Sequence, residues 1–95
     1  MKIDPSETVI SGVSKVDGKW VSDAEICWRI DSLTSSILRL VSTRNGGWTR
    51  LYRDNNDGRL WEETRPFGEM HGGGPPVLTM LSPEEARALY PEADI

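Results

Sequence analysis

The stretch that decides the fold runs from residue 45 to residue 64 and reads Asn45-Gly46-Gly47-Trp48-Thr49-Arg50-Leu51-Tyr52-Arg53-Asp54-Asn55-Asn56-Asp57-Gly58-Arg59-Leu60-Trp61-Glu62-Glu63-Thr64. Asn-Gly-Gly and Asp-Asn-Asn-Asp-Gly are turn-forming sequences, and the segments around them are rich in branched and aromatic residues. We therefore predict strands over residues 36–43, 48–53 and 59–64. Short turns between such strands favour a three-stranded antiparallel meander.

The register of the second hairpin is open between two alternatives. One register gives the cross-strand pairs Asp54–Arg59, Tyr52–Trp61 and Arg50–Glu63. These pairs are favourable because aromatic and oppositely charged residues face each other. A slip of one residue would oppose Arg53 and Arg59 but would gather Trp48, Tyr52 and Leu60 on one face, so the sequence alone leaves both registers possible.

Two capping boxes predict two helices. In Ser22-Asp23-Ala24-Glu25 the Ser22 hydroxyl is the predicted N-cap, and an apolar stripe follows at Ile26, Ile30 and Leu33. Ser82-Pro83-Glu84-Glu85 predicts a short second helix, which reaches about Tyr90 before Pro91 stops it.

The remaining strands complete an α+β fold. Residues 8–13, 19–21 and 77–81 are predicted strands, with a turn at Asp17-Gly18 between the first two. The sequence thus predicts one domain over residues 1–95, in which the meander and further edge strands pack with one main helix and a short C-terminal helix.

The net charge and the cysteine content indicate which kind of partner and which compartment to expect. Fifteen Asp and Glu against eleven Lys and Arg give a formal net charge of -4, the wrong sign for general affinity to nucleic acid or anionic lipid. A single cysteine, Cys27, cannot form an internal disulfide. We expect no signal peptide and no membrane-spanning segment, because residues 1–7 include acids and a proline and no apolar run approaches membrane-spanning length. We expect a cytoplasmic protein with a basic or neutral partner and no membrane contact; its oligomeric state is left open.

No catalytic, cofactor or metal set is readable in the sequence. His71 precedes three glycines, but no nucleophile elbow accompanies it, and the Asp54–Gly58 loop departs from calcium-loop spacing. We therefore predict no enzyme activity, no cofactor and no metal. A small hydrolase that uses His71 beside Glu69 or Glu63 is the less favoured alternative.

A second alternative is a small RNA-binding module. Five arginines interleave with three aromatic residues in and beside the meander: Arg44, Arg50, Arg53, Arg59, Arg65, Trp48, Tyr52 and Trp61. An exposed sheet face of this composition could stack bases. Cross-strand ion pairs around core aromatics are the favoured interpretation, because the same segment carries four acids.

Several segments together resemble the immunity protein 27 family of bacterial polymorphic toxin systems. They are Asp4-Pro5-Ser6-Glu7-Thr8, Asp23-Ala24-Glu25-Ile26-Cys27-Trp28-Arg29-Ile30, Gly47-Trp48-Thr49-Arg50-Leu51-Tyr52, Asn56-Asp57-Gly58-Arg59-Leu60-Trp61-Glu62 and Glu69-Met70-His71-Gly72-Gly73-Gly74-Pro75-Pro76. The resemblance implies a small cytosolic protein that binds and blocks a cognate toxin without catalysis. It supplies no toxin-contact residue.

The candidate partner-binding residues therefore come from physical reasoning. They are Asp54, Asp57, Glu62, Glu69 and His71, which belong to the hairpin turn, its second strand and the loop before the glycines. Turns and loops present side chains to partners, and carboxylates attract a basic toxin at long range. Trp61, by contrast, is predicted to be part of the structural framework.

Overall fold

Seven strands and two helices make up the chain in a computed structural model that describes residues 2–66 and 74–95. The strands are β1 (Val9–Ser11), β2 (Val13–Val16), β3 (Lys19–Ser22), β4 (Leu38–Arg44), β5 (Thr49–Asp54), β6 (Leu60–Thr64) and β7 (Val77–Leu81). The helices are α1 (Ala24–Ser32) and α2 (Pro83–Leu89).

The strands form a five-stranded antiparallel sheet and a separate hairpin. The order in the sheet is β1-β7-β6-β5-β4, and β2 pairs with β3. The predicted meander, β4-β5-β6, is confirmed and continues into β7, with β1 beside β7 at the edge. The fold is α+β, as predicted.

The register of the β5–β6 hairpin follows the first alternative. Tyr52 lies opposite Trp61 and Arg50 opposite Glu63. The turn is closed by two backbone hydrogen bonds, from the Asp54 amide to the Arg59 carbonyl at 2.9 Å and from the Gly58 amide to the Asp54 carbonyl at 2.7 Å. The slipped register is wrong.

The start of α1 differs from the prediction by one residue. Asp23 is the N-cap, and its side chain accepts a hydrogen bond from the Ile26 amide at 3.2 Å. Ser22 cannot take this role because it pairs with Val13 in the β2–β3 ladder. The chain is therefore still a strand at the predicted cap, and the capping box with Glu25 does not form.

The end of α1 also differs from the prediction. A π-helical turn, Leu33–Ile37, continues the helix, so β4 begins at Leu38 and the predicted start at residue 36 is wrong. Hydroxyl side chains do not break the helix here, because Thr34 donates to the Ile30 carbonyl at 2.9 Å and Ser35 to the Ser32 carbonyl at 3.3 Å. Leu33 is thereby held in the core.

The predicted first strand, residues 8–13, is divided in two at Gly12. Its amide donates to the Pro76 carbonyl and its carbonyl accepts from the Asp23 amide, both at 2.9 Å. A side chain at this position would collide, since a Cβ would lie 2.6 Å from the Pro76 oxygen and 2.8 Å from Cys27 Sγ. Glycine lets the chain leave the large sheet for the small hairpin.

The start of α2 agrees with the prediction. The Ser82 hydroxyl accepts from the Glu85 amide at 3.1 Å, and the Glu85 carboxylate accepts from the Ser82 amide at 3.0 Å. Pro83 opens the helix and Tyr90 is its C-cap.

The two helices cover opposite faces of the sheet. One apolar cluster joins the helical segment to alternate strand residues and contains Ile3, Ile10, Ile30, Leu33, Leu38, Tyr52, Trp61 and Leu78. The other joins α2 to the intervening strand residues and contains Leu51, Leu60, Leu81, Ala86 and Tyr90. Because successive strand residues point to opposite faces, the sheet is the middle of three layers.

Candidate partner-binding surface

Asp54 and Asp57 lie in the turn between β5 and β6, where both carboxylates have internal partners. Asp54 is buried and accepts a hydrogen bond from the Asn56 amide at 2.9 Å. Asp57 is exposed and accepts from the Arg59 amide at 3.0 Å and from Arg59 Nε at 2.6 Å. These bonds lower the pKa of Asp57. The burial of Asp54 argues against contact with a partner, and Asp57 would have to exchange its partners.

Glu62 is buried on the sheet face that α2 covers. The Tyr90 hydroxyl donates to Glu62 Oε2 at 2.6 Å, and Arg44 Nε lies 3.6 Å from the same oxygen. The Arg44 guanidinium also stacks over the Tyr90 ring at 5.6 Å from the centroid. Burial, followed by the hydrogen bond to Glu62, raises the pKa of Tyr90. This arrangement attaches the end of α2 to the sheet and argues against Glu62 as a contact residue.

The other two predicted residues, Glu69 and His71, lie outside the described residues. Of the three described candidates, Asp54 and Asp57 lie together at one turn, while Glu62 lies apart from them, in contact with Tyr90 of the α2 layer.

The predicted arginine and aromatic face is not an open surface. Tyr52 and Trp61 are buried, so neither ring can stack a base. The Arg59 guanidinium lies 5.0 Å from the Trp61 centroid and donates to the Glu7 carbonyl at 2.7 Å and the Asp4 carbonyl at 3.1 Å. Arg59 therefore holds the N-terminal segment against the sheet through these hydrogen bonds.

The most exposed large apolar side chains on the described surface include three tryptophans. Trp28 on α1 is 65% exposed, Trp48 before β5 is 60% exposed and Trp20 on β3 is 52% exposed. Sequence reasoning named Trp48 among the aromatic residues of a possible RNA-binding face but did not single out Trp28 or Trp20 as exposed. A signal existed for Trp28: at 3.6 residues per turn it lies about 200° around the helix from Ile26, opposite the buried stripe.

Trp48 lines a cleft with mostly polar walls, and Trp28 lines a cleft with mostly apolar walls. The Trp48 cleft, about 410 Å³, is lined by Gly46, Gly47, Trp48, Arg50, Glu63 and Arg65. The cleft at Trp28, about 500 Å³, is lined by Ala24, Glu25, Trp28 and Arg29. Exposed aromatic rings of this kind are typical anchors of protein interfaces.

The described part of the chain has no candidate metal cluster, no helix that could span a membrane and a single, half-buried cysteine. Residues 2–66 and 74–95 contain no group of three His, Cys, Asp or Glu side chains that could hold a metal ion. Cys27 is half-buried and donates weakly to the Gly12 carbonyl at 3.5 Å, and burial raises the pKa of its thiol. No helix within these ranges is long and apolar enough to span a membrane.

The comparison with family models identifies the chain. The model described as immunity protein 27 matches residues 16–82 of the 95 residues. The chain belongs to the immunity protein 27 family. A search of curated proteins and a search of solved structures each found no match.

The immunity protein 27 match contains α1, the meander and β7, and it ends just before α2. The quoted segment Asp4–Thr8 lies outside the match, while the other segments that carried the resemblance lie inside it. Most of the large residues in those segments are framework: Leu51, Tyr52 and Trp61 are buried. Among the described residues of these segments, Trp28 and Trp48 are the large apolar residues that are exposed.

Proposed function

We propose that this protein is a non-catalytic immunity protein that binds and neutralises a cognate bacterial polymorphic toxin in the cytoplasm. Membership of the immunity protein 27 family carries the proposal. An immunity role by binding needs a stable scaffold and an exposed recognition surface, and no reaction of its own.

The exposed tryptophans and the acidic balance support a basic protein partner. Tryptophan supplies a large contact area at small entropic cost, and it is enriched at the residues that dominate binding energy. The net charge of -4 favours a toxin surface rich in Lys and Arg, because opposite charges accelerate encounter.

The two alternatives receive less support. RNA binding through the meander would use Trp48, Tyr52 and Trp61, and only Trp48 is exposed while the other two rings are buried. A hydrolase would use His71, and family membership favours a role without catalysis instead. Hydrolase activity that disappears in His71→Ala at unchanged stability would contradict the proposal.

Co-expression with a toxin tests the proposed function. The probe is the C-terminal domain of a polymorphic toxin encoded directly upstream of this gene. We expect that domain alone to stop growth, and this chain to restore growth and to co-purify with it. An unrelated polymorphic toxin domain is the control that this chain should not neutralise. Growth arrest that persists at equal expression, with no complex in solution, would refute the proposal.

A further inference from the structure

The solvent-facing side of α1 combines an aromatic ring with unpaired carboxylates. We call Ala24, Glu25, Trp28 and Asp31 the Trp28 face. All four are exposed, and the acids lie three residues before and three residues after the tryptophan. Side chains at this spacing are neighbours on a helix, so the indole is flanked by a carboxylate on each side.

Within the described residues, the carboxylates of the Trp28 face have no internal partner, unlike four other acids of the chain. Glu7, Asp57, Glu62 and Glu63 are each held by an arginine. Across residues 2–66 and 74–95, neither the Glu25 carboxylate nor the Asp31 carboxylate takes part in a hydrogen bond or an ion pair, and the Thr34 hydroxyl donates to the backbone carbonyl of Asp31 only. Because no internal ion pair engages these two carboxylates, each can pair with a cationic side chain of a binding partner.

The nearest cation on α1 does not neutralise this face. Arg29 donates from both terminal nitrogens to Glu7, at 2.8 Å and 2.7 Å. Its guanidinium is thereby satisfied by the N-terminal segment, and the pair adds no net charge. The cleft beside Trp28 is therefore an apolar recess whose rim carries the unbalanced charge of Glu25, because Glu7 balances the Arg29 that also lines it. Asp31 lies on the same helix face, one turn further along.

We propose that the Trp28 face is the docking surface for the toxin, and that it receives a basic segment with a Lys or Arg side chain over the indole of Trp28. The charge of the rim selects this occupant, because a cation can contact the ring face and a carboxylate together. The apolar recess over Ala24 accommodates the methylene stem of that side chain. This inference rests on the proposed function and replaces the turn acids as the contact.

The Trp48 cleft is the internal comparison. Its tryptophan is almost as exposed as Trp28, but its other charged side chains are Arg50, Arg65 and the Glu63 that Arg65 pairs with. A basic segment would meet an excess of positive charge there. Trp48→Ala is therefore a matched control, because it removes a similarly exposed indole whose charged neighbours are mainly arginines.

The first measurement compares the dissociation constants of Trp28→Ala and Trp48→Ala with that of the wild type for the upstream toxin domain, by calorimetry. We expect Trp28→Ala to raise Kd by about 30-fold or more, which is about 2 kcal/mol. Trp48→Ala should change Kd by less than about threefold. Trp28→Ala should fold normally, because the position is exposed and alanine favours helix.

The second measurement uses charge reversal and stopped-flow association. Glu25→Lys/Asp31→Lys should slow association by roughly tenfold at low salt and weaken its salt dependence. The control variant Glu84→Lys/Glu92→Lys changes the net charge by the same amount. Glu84 lies on α2 and Glu92 follows it, on the side of the sheet opposite α1. This control should keep most of the association rate. Thermal unfolding of all variants separates binding defects from folding defects.

The outcomes distinguish this inference from the proposed function. If the wild type binds and protects while Trp28→Ala and the α1 double reversal bind equally well, the docking surface is wrong and the immunity function stands. If Trp48→Ala is the damaging variant, the toxin presents acidic rather than basic chemistry and the inference is overturned. If the wild type neither binds nor protects, the inference falls together with the function.

Discussion

Trp61 belongs to the apolar cluster that packs against α1, and its side chain is fully buried. We expect Trp61→Ala to lower the free energy of unfolding by about 3–5 kcal/mol, because it removes a large ring and leaves a cavity in a packed core. Urea denaturation followed by far-ultraviolet circular dichroism measures the change.

Trp48→Ala is the matched control for this experiment, since its ring is mostly exposed. Exposed positions usually change stability by about 0.5 kcal/mol or less. A similar small loss in Trp61→Ala would contradict a framework role for Trp61.

The hydroxyl of Tyr90 is a second residue on which the fold depends. We expect Tyr90→Phe to lower the free energy of unfolding by about 1–3 kcal/mol, because it removes the 2.6 Å bond and leaves the buried Glu62 carboxylate with Arg44 alone. The paired variant Glu62→Gln/Tyr90→Phe should recover part of the loss. Equal stability of wild type and Tyr90→Phe in denaturant would show that the bond contributes nothing net.

At the scale of elements, the N-terminal segment is attached to α1 by an acid-sensitive pair. Hydrogen bonding from Arg29 lowers the pKa of Glu7 from its ordinary 4.5 to about 2. Since the folded-state pKa is depressed, this pair stabilises the fold above pH 4.5, and the contribution is lost as the pH falls toward 2.

In Glu7→Gln, the free energy of unfolding should therefore fall less steeply as the pH is lowered below 5. Between pH 5 and pH 2 we expect the wild type to lose on the order of 1 kcal/mol more than the variant, since the pair is partly exposed and solvent screens it. Glu92→Gln is the control, because no ion pair within the described ranges engages Glu92. Parallel acid limbs for wild type and Glu7→Gln would disprove the coupling.

Local chemistry explains which elements the sequence could predict. The β5–β6 turn and the α2 capping box each complete their hydrogen bonds within five residues, so the sequence alone located both. The register of the β5–β6 hairpin stayed open between two alternatives, and the observed Tyr52–Trp61 pair decides it. The start of α1 was misplaced because Ser22 is already paired with Val13, nine positions away, and that pairing overrides its capping propensity.

The candidate site was harder to predict because burial depends on distant residues. Glu62 on β6 looks like a surface carboxylate until Tyr90, 28 positions later, covers it. The apolar stripe of α1 was readable from helical spacing, and the same spacing places Trp28 on the outer side. That Glu25 and Asp31 stay unpaired follows only from the whole arrangement, since it requires Arg29 to be engaged by Glu7.

For the whole molecule, the layer formed by α2 lies beyond the family match but covers the apolar cluster on one sheet face. A chain that ends at Ser82 keeps the matched segment and loses the cover of Leu51, Leu60 and Leu81. We expect this truncation to unfold or aggregate, because an uncovered apolar sheet face is unstable in water. Binding of a hydrophobic dye and analytical ultracentrifugation measure the result; a monomeric truncation with an unchanged melting temperature would contradict it.

The division of the four tryptophans, with Trp61 enclosed and the other three largely in water, has an optical consequence. Steady-state emission of the native protein should already be red-shifted, so that unfolding changes the spectrum little and near-ultraviolet dichroism is the more informative probe of the enclosed ring. A blue shift on mixing with a partner would then signal that an outer indole has left water. Replacing the outer indoles with phenylalanine one at a time would show which of them the partner covers, without any attached label.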